Sequence, residues 1–313
     1  MMGLWEEAEK VYFLGIEVYA FGLYCALGAA MTLIMLFLQC KREKMKPGTV
    51  PLTGVLSLVC GFVCSRLLFC LLDQTISEGM PLQGVLMVAG GGYSMMGALL
   101  GGLLGAMLAG RITRQSSWKM ADLMAPAMLL FVAGERIGEG YILDFGVSRP
   151  LVGDFFKGTF LAVEGDYDWY LATYLLESFS ALMLSVILLR DSAHQKRQGD
   201  TLVLFLILFG GVQTLMESLR YDRHMSFSFV GIQHVMAMAM LGIALIVLAI
   251  RCWKEKKALA ILALISIPLV AGLGIGLEFA IDRTTVNRYL LYAAYILLLA
   301  LPMWLGVRLR KEA

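Results

Sequence analysis

The sequence predicts an all-α integral membrane protein of about nine transmembrane helices, each near the 20 residues that hydrocarbon requires. Hydrophobic residues make up 59% of the 313 and charged residues only 16%, against about a quarter charged in soluble globular chains. Apolar runs long enough to span recur along the whole chain. Lys and Arg gather in alternate connections, which gives the spans a direction.

Taken in order, the runs lie near 11–40, 50–73, 91–110, 119–138, 169–189, 201–219, 229–250, 258–281 and 286–307. The segment from Pro81 to Met87 is read as an interfacial or re-entrant piece. Basic clusters at Lys41 to Lys46, Arg111 to Lys119, Arg190 to Arg197, Arg251 to Lys257 and Arg308 to Lys311 fall on one side and hold most of the 26 basic residues. That side is the cytoplasm, so the N-terminus faces out and the C-terminus in. The opening Trp5-Glu6-Glu7-Ala8-Glu9-Lys10 is acidic where a cleavable signal peptide is basic, so none is expected.

One polar insertion, 139–168, is too long for a simple connection at roughly 30 residues. It is expected to form a small acidic cap outside. Six cysteines sit in or beside apolar segments and read as free packing thiols, with no metal site or cofactor expected. No nucleic-acid signature is present.

Charge inside a membrane is expensive and marks candidate sites. Glu17, Arg136, Glu177, Glu217 and Arg220 fall toward the outward ends of their predicted helices and are expected to converge. Arginine forks suit a phosphate-bearing headgroup; internal salt bridging between helices is the plainer reading. In Gly90 to Gly102 the dense glycines allow close backbone approach, and Gly97, Gly101 and Gly105 are spaced by four as in tight helix pairs. Tyr93 and Ser94 are the members placed to touch a headgroup. Of three histidines, His194 reads as solvated in a cytoplasmic loop, while His224 and His234 are candidate bases or structural histidines.

These stretches together resemble the bacterial prolipoprotein diacylglyceryl transferase family. Glu135-Arg136-Ile137-Gly138-Glu139-Gly140 looks like its Gly-Arg-Ile-Gly-Asn-Phe signature, preceded by a matching Asp122-Leu123-Met124-Ala125-Pro126. Gly91 to Gly102 aligns without gaps on its glycine-rich helix, Phe21-Gly22 to Gly28 on its first helix, and Gln213 to Arg220 on its Arg-x-x-x-Glu-x-x-Arg. Ala172 to Glu177 is a reduced Pro-Ser-Gln-Leu-Tyr-Glu, and Gly231 and Gln233 match a later Gly-Gln pair.

The resemblance covers about 11–250. It implies a seven-helix diacylglyceryl-transferase-like core, residues 1–250 with the outer cap 139–168, and two additional C-terminal helices in 251–313. It implies transfer of the diacylglyceryl group of phosphatidylglycerol to a prolipoprotein lipobox thiol in the bacterial cytoplasmic membrane. Arg136 and Arg220 would hold the phosphate, with Glu177 and Glu217 orienting them; Tyr93, Ser94, Gly97, Gln213 and Gln233 complete the substrate-binding set. The family's glycine-helix histidine is Met96 here, its signature Asn is Glu139, and the first Arg of its later motif is Gln213. Methionine accepts no proton, so either another group serves as base, with Glu139, His224 or His234 as the candidates, or the acceptor is a nucleophile other than a prolipoprotein thiol. The rivals are a non-catalytic phospholipid-binding paralogue or scaffold subunit, and a lipid transporter.

Overall fold

The computed structural model describes residues 9–46, 48–72, 92–142, 146–151, 153–165, 167–193, 197–221, 226–227 and 230–312. His194, His224, Gly90, Gly91 and the 81–87 segment lie outside them. Among the described residues the chain is helical with short antiparallel strands, and eight helices are long and apolar enough to cross a membrane.

The chain packs as two compact units. The first runs to Gly199 and takes in Arg220 and its neighbours; the second holds Asp200–Leu219 and the chain from Ser226 onward.

In the first unit the chain begins with a hairpin, β1 (Lys10–Phe13) and β2 (Ile16–Tyr19), where the apolar run 11–40 predicts helix. Aromatic and β-branched residues fill both strands, and Leu14 and Gly15 take the left-handed conformations that a tight hairpin turn requires. Helix α1 (Ala20–Arg42) therefore starts nine residues late, and Glu17 ends up exposed, 3.7 Å from Lys10, rather than in a buried cluster. The helices α2 (Thr49–Leu72), α3 (Met95–Ile112), α4 (Ser117–Glu139) and α5 (Thr173–Ser192) follow the predicted spans closely. The cap is a three-stranded antiparallel sheet of order β3-β5-β4, built from Val147–Pro150, Trp169–Ala172 and Ala162–Glu164.

Small residues set the helix pairing. A Cβ on Gly97 would stand 2.6 Å from the Cys64 carbonyl, one on Gly105 2.5 Å from that of Leu56, and one on Gly101 would strike the Cys60 carbonyl. The four-residue spacing therefore seats α3 against α2, as small-residue faces do in lipid. Helix α4 is held from two sides. Thr32 and Gln39 on α1 donate to the Ala127 and Leu123 carbonyls at 3.0 and 2.9 Å, and Ser178 and Ser185 on α5 donate to those of Ala133 and Pro126. Most of α4 is buried, including Asp122, which accepts from the Gly199 amide at 2.6 Å. It is the one described helix that is not apolar enough to count as a span by composition. Surrounded by helices, it has no need to be.

The second unit contains α6 (Asp200–Leu219), the short β6 (Ser226–Phe227) and β7 (Val230–Gly231), and α7 (Ile232–Cys252), α8 (Lys257–Arg283) and α9 (Arg288–Glu312). Its core interleaves Val203, Ile207, Leu241, Leu245, Leu248, Leu305 and Leu309. Asp200 pairs with Arg251 at 3.1 Å.

Gly101→Val tests the seam between α2 and α3. Overpacking of this kind costs about 1–3 kcal/mol, so thermal unfolding in detergent should come several degrees earlier, while Gly272→Val, where a Cβ meets nothing within 4 Å, should leave the midpoint in place.

Candidate functional site: a closed ring of arginines and carboxylates

The end of α4 carries Arg136 and Glu139 three residues apart on one face, within the most conspicuous charged stretch of the chain. Gly134 and Gly138, four apart, bring this end onto α1: a Cβ on Gly134 would lie 2.7 Å from the Tyr24 carbonyl. Strand β5 runs straight into α5, and Glu177 follows one turn in, so the cap sheet and the helix together fix where that carboxylate points.

Arg220 arrives from the other side. Its backbone forms an antiparallel bridge with Ser148 of β3, and the Tyr221 amide donates to the Val147 carbonyl at 3.0 Å. Ser148 is itself tied in, its hydroxyl accepting from the Leu171 amide of β5 at 2.8 Å.

The four side chains close a ring. Arg136 Nη1 donates to Glu139 Oε1 at 2.6 Å, and Arg136 Nε lies 2.7 Å from Glu177 Oε2. Arg220 Nη1 donates to Glu139 Oε2 at 2.9 Å and to Glu177 Oε1 at 3.2 Å. Each carboxylate thus spends one oxygen on each arginine. Side-chain exposures are 7% or less throughout. Glu135 stands outside the ring, its Oε2 3.6 Å from Arg136 Nε.

Arg136 also reaches α3. Its Nη2 donates to the Met95 thioether at 3.0 Å, so the start of the glycine-rich helix borders the ring. A thioether is a weak acceptor; an incoming oxyanion would be a far better one.

The other sequence candidates are distributed as follows. Ser94 is fully buried and caps α3, accepting from the Gly97 amide, so its hydroxyl is committed to structure rather than to lining a headgroup site. Gly97 is filled by α2 backbone and leaves no room for a ligand. Tyr93 packs at a tilt against Phe62 and receives the Arg66 guanidinium 5.8 Å over its ring; Arg66 also donates to the Gly92 carbonyl at 2.8 Å. Met96, in the place of the family histidine, is 1% exposed. Glu177 lies between both arginines, with Glu139 as its counterpart. Glu217, expected in that role, belongs to the second unit and accepts from Gln213 Nε2 at 2.9 Å.

His234 also lies in the second unit, buried on α7. Its Nε2 is 2.8 Å from the Tyr295 hydroxyl and its Nδ1 3.9 Å from Glu278 Oε1. Gly274 leaves space for that hydroxyl, a Cβ there standing 3.4 Å from it. Beside His234, the Gln233 Oε1 is buried with no hydrogen-bond partner among the described residues.

Sequence reasoning overlooks Met95, Ser148 and Tyr295. Met95 and Tyr295 read as ordinary apolar helix residues, and a lone Ser in a loop carries no signal. Tyr295 alone offers a hint, a hydroxyl within an otherwise apolar run.

The chain is similar to known proteins along most of its length. The family model described as prolipoprotein diacylglyceryl transferase matches residues 10–276. The phosphatidylglycerol–prolipoprotein diacylglyceryl transferase of Bacillus velezensis is 24% identical over 76% of this chain and 90% of its own. That of Bacillus licheniformis is 25% identical over 77% and 91%. The Clostridioides difficile protein of the same name is 23% identical over 66% and 81%.

Removing one carboxylate from the ring should be costly. Glu177→Ala leaves two buried guanidiniums sharing one ring partner, and opening a buried pair in this way typically costs about 3–5 kcal/mol. Glu17→Ala, which removes an exposed pair, should cost under about 1 kcal/mol. Unfolding midpoints of the two variants in the same detergent check the contrast.

Proposed function

Because the chain belongs to the prolipoprotein diacylglyceryl transferase family, we propose that it transfers the diacylglyceryl group of phosphatidylglycerol to a thiol, with the ring of Arg136, Glu139, Glu177 and Arg220 as the site that receives the phosphate. The observation that carries this is the ring itself: two arginine forks from separate elements, pre-aimed by two shared carboxylates in a buried site. Fixed donors of this kind stabilise charge as it develops, because they need no reorganisation when the bond breaks.

The reaction needs three things of the chain. The thiol must lose its proton, sulfur must form a bond to the glyceryl carbon, and the carbon–oxygen bond to the phosphate must break, releasing glycerol phosphate. Arg136 and Arg220 would hold that departing dianionic group. Glu139 and Glu177 would keep the guanidiniums coplanar with it rather than act as bases, since their oxygens are already engaged. The proton-accepting role is assigned to His234, whose Nε2 is hydrogen-bonded to the Tyr295 hydroxyl. Tyr93, Gln213, Glu217 and Gln233 would contact substrate, Gln233 through its unsatisfied amide oxygen. The acceptor is a prolipoprotein lipobox cysteine. The protein would reside in the bacterial cytoplasmic membrane with its N-terminus outside and its C-terminus in the cytoplasm, and residues 251–313 would add two helices to a core of 1–250.

A phosphodiester brings its own negative charge to a site where the ring's two cations are already matched and Glu135 adds a third carboxylate. Entry without an accompanying proton is therefore easiest at a guanidinium donor that no carboxylate holds. The Arg136–Met95 contact offers such a donor, because a thioether is a weak acceptor that an oxyanion readily replaces.

A second reading, binding without transfer, is favoured by one observation: Met96 occupies the family's histidine position and is buried. The two separate cleanly. In cells depleted of their own transferase the chain should restore growth and lipoprotein lipidation, and the purified protein should release glycerol phosphate from phosphatidylglycerol with a lipobox peptide. Arg136→Lys, which keeps the charge but loses the fork, should lower turnover by about a hundredfold or more with the fold intact. His234→Gln should lose turnover yet retain lipid. Lipid retention with no glycerol phosphate from the unaltered protein rejects the transfer reading.

A further inference from the structure

The mouth of an apolar cleft between α1 and α2, far from the ring in sequence, is lined by Lys41 and Lys46. Its volume is about 680 Å³, and its walls include Leu33, Phe37, Val55 and Leu58. Phe37, Val55 and Leu58 are each about half exposed. The cleft follows from the pairing already described. Helix α1 gives its small-residue and hydroxyl face to α4, α2 gives its own to α3, and a wedge is left between them.

The connection across the mouth is strongly basic. Lys41, Arg42, Lys44 and Lys46 stand against a single acid, Glu43. That acid is occupied: Lys119 lies 2.7 Å from it and Arg42 3.5 Å, and the Lys119 hydrogen bond holds its carboxyl below the usual carboxylate range. Glu43 therefore does not neutralise Lys41 or Lys46. Lys46 is steered by the end of α3, donating to the Thr113 carbonyl at 3.3 Å, so its ammonium is held near the mouth instead of ranging through solvent.

We propose that this cleft is a binding site for an anionic phospholipid of the leaflet on the basic side, with acyl chain along Leu33, Phe37, Val55 and Leu58 and headgroup phosphate on Lys41 and Lys46. Apolar walls exclude a free phosphate ion, and two ammonium groups at the rim distinguish an anionic from a zwitterionic headgroup. This site is separate from the ring and does not depend on the transfer reading.

The test uses the full chain in nanodiscs with phosphatidylglycerol or phosphatidylethanolamine, each carrying a diazirine on the same acyl chain at equal mole fraction, and maps crosslinked peptides by mass spectrometry. Peptides of α1 and α2 around the cleft should be labelled about tenfold more by the anionic lipid, given the attraction of two surface lysines. Lys41→Ala with Lys46→Ala should remove that preference without changing the unfolding midpoint. Leu58→Trp, which fills the cleft and leaves the lysines, should lower labelling by both lipids. Equal labelling of the unaltered protein by the two lipids overturns the proposal, as does a preference that survives in the double variant. If the double variant does not fold, the comparison of the two lipids on the unaltered protein decides alone.

Discussion

Four buried charges held in one ring govern the first unit. A lone guanidinium or carboxylate moved from water into a protein interior costs several kcal/mol even after relaxation, and Arg136 is among the largest fully buried side chains described. The cost is met only when every charge is matched and most polar atoms are bonded. Arg136, Glu139, Arg220 and Glu177 balance two cations against two carboxylates, each carboxylate shared by both arginines. Other features then follow. Helix α4 has to be enclosed by its neighbours because it carries two ring members, which is why its packing depends on hydroxyls reaching across from α1 and α5. The cap has to be ordered sheet rather than loose loop, because its β3 strand holds the backbone of Arg220.

Ring closure and ligand binding pull in opposite directions, and the geometry states how. A closed ring is a satisfied structural element, as internal salt bridges between helices are. It becomes a binding site only if an anion competes for donors at less expense than breaking the ring. The Arg136 Nη2 donor is the one to compete for, since it is bonded to the Met95 sulfur, a weak acceptor. An oxyanion taking that hydrogen exchanges a weak acceptor for a charged one and leaves the bonds to Glu139 and Glu177 in place. The family signature and the glycine-rich helix, separate in sequence, meet at this contact.

The spans can be read from the sequence because lipid imposes a length and an apolarity that few other environments do, and the basic clusters confirm their alternation. The start of the first helix cannot. Val11 to Tyr19 is as apolar as a span, and only strand-favouring residues with Leu14 and Gly15 at the turn mark it as a hairpin, a local signal that hydropathy averages away. Of the site, Arg136, Glu177 and Arg220 are legible because charge in an apolar segment has few explanations. Glu139 is legible as a residue but not in its role: a carboxylate beside an arginine reads as a competitor for phosphate until the second arginine is seen on its other oxygen. Ser94 is hard to read for the same reason. Position in a motif does not say whether a side chain faces a ligand or caps a helix, and here Ser94 caps α3.

The trio on α7, α8 and α9 gathers an imidazole, a phenol and a carboxylate in apolar surroundings. The Tyr295 hydroxyl lies 2.8 Å from His234 Nε2, whereas Glu278 Oε1 lies 3.9 Å from Nδ1, beyond hydrogen-bond reach. The phenol therefore fixes the ring, and any group reaching Nε2 must displace it. Tyr295 is fully buried among Val270 and Leu299, and Gly274 keeps space at its hydroxyl. An apolar wall behind the phenol opposes that displacement, because a hydroxyl that gives up its bond to His234 in apolar surroundings does so at a cost.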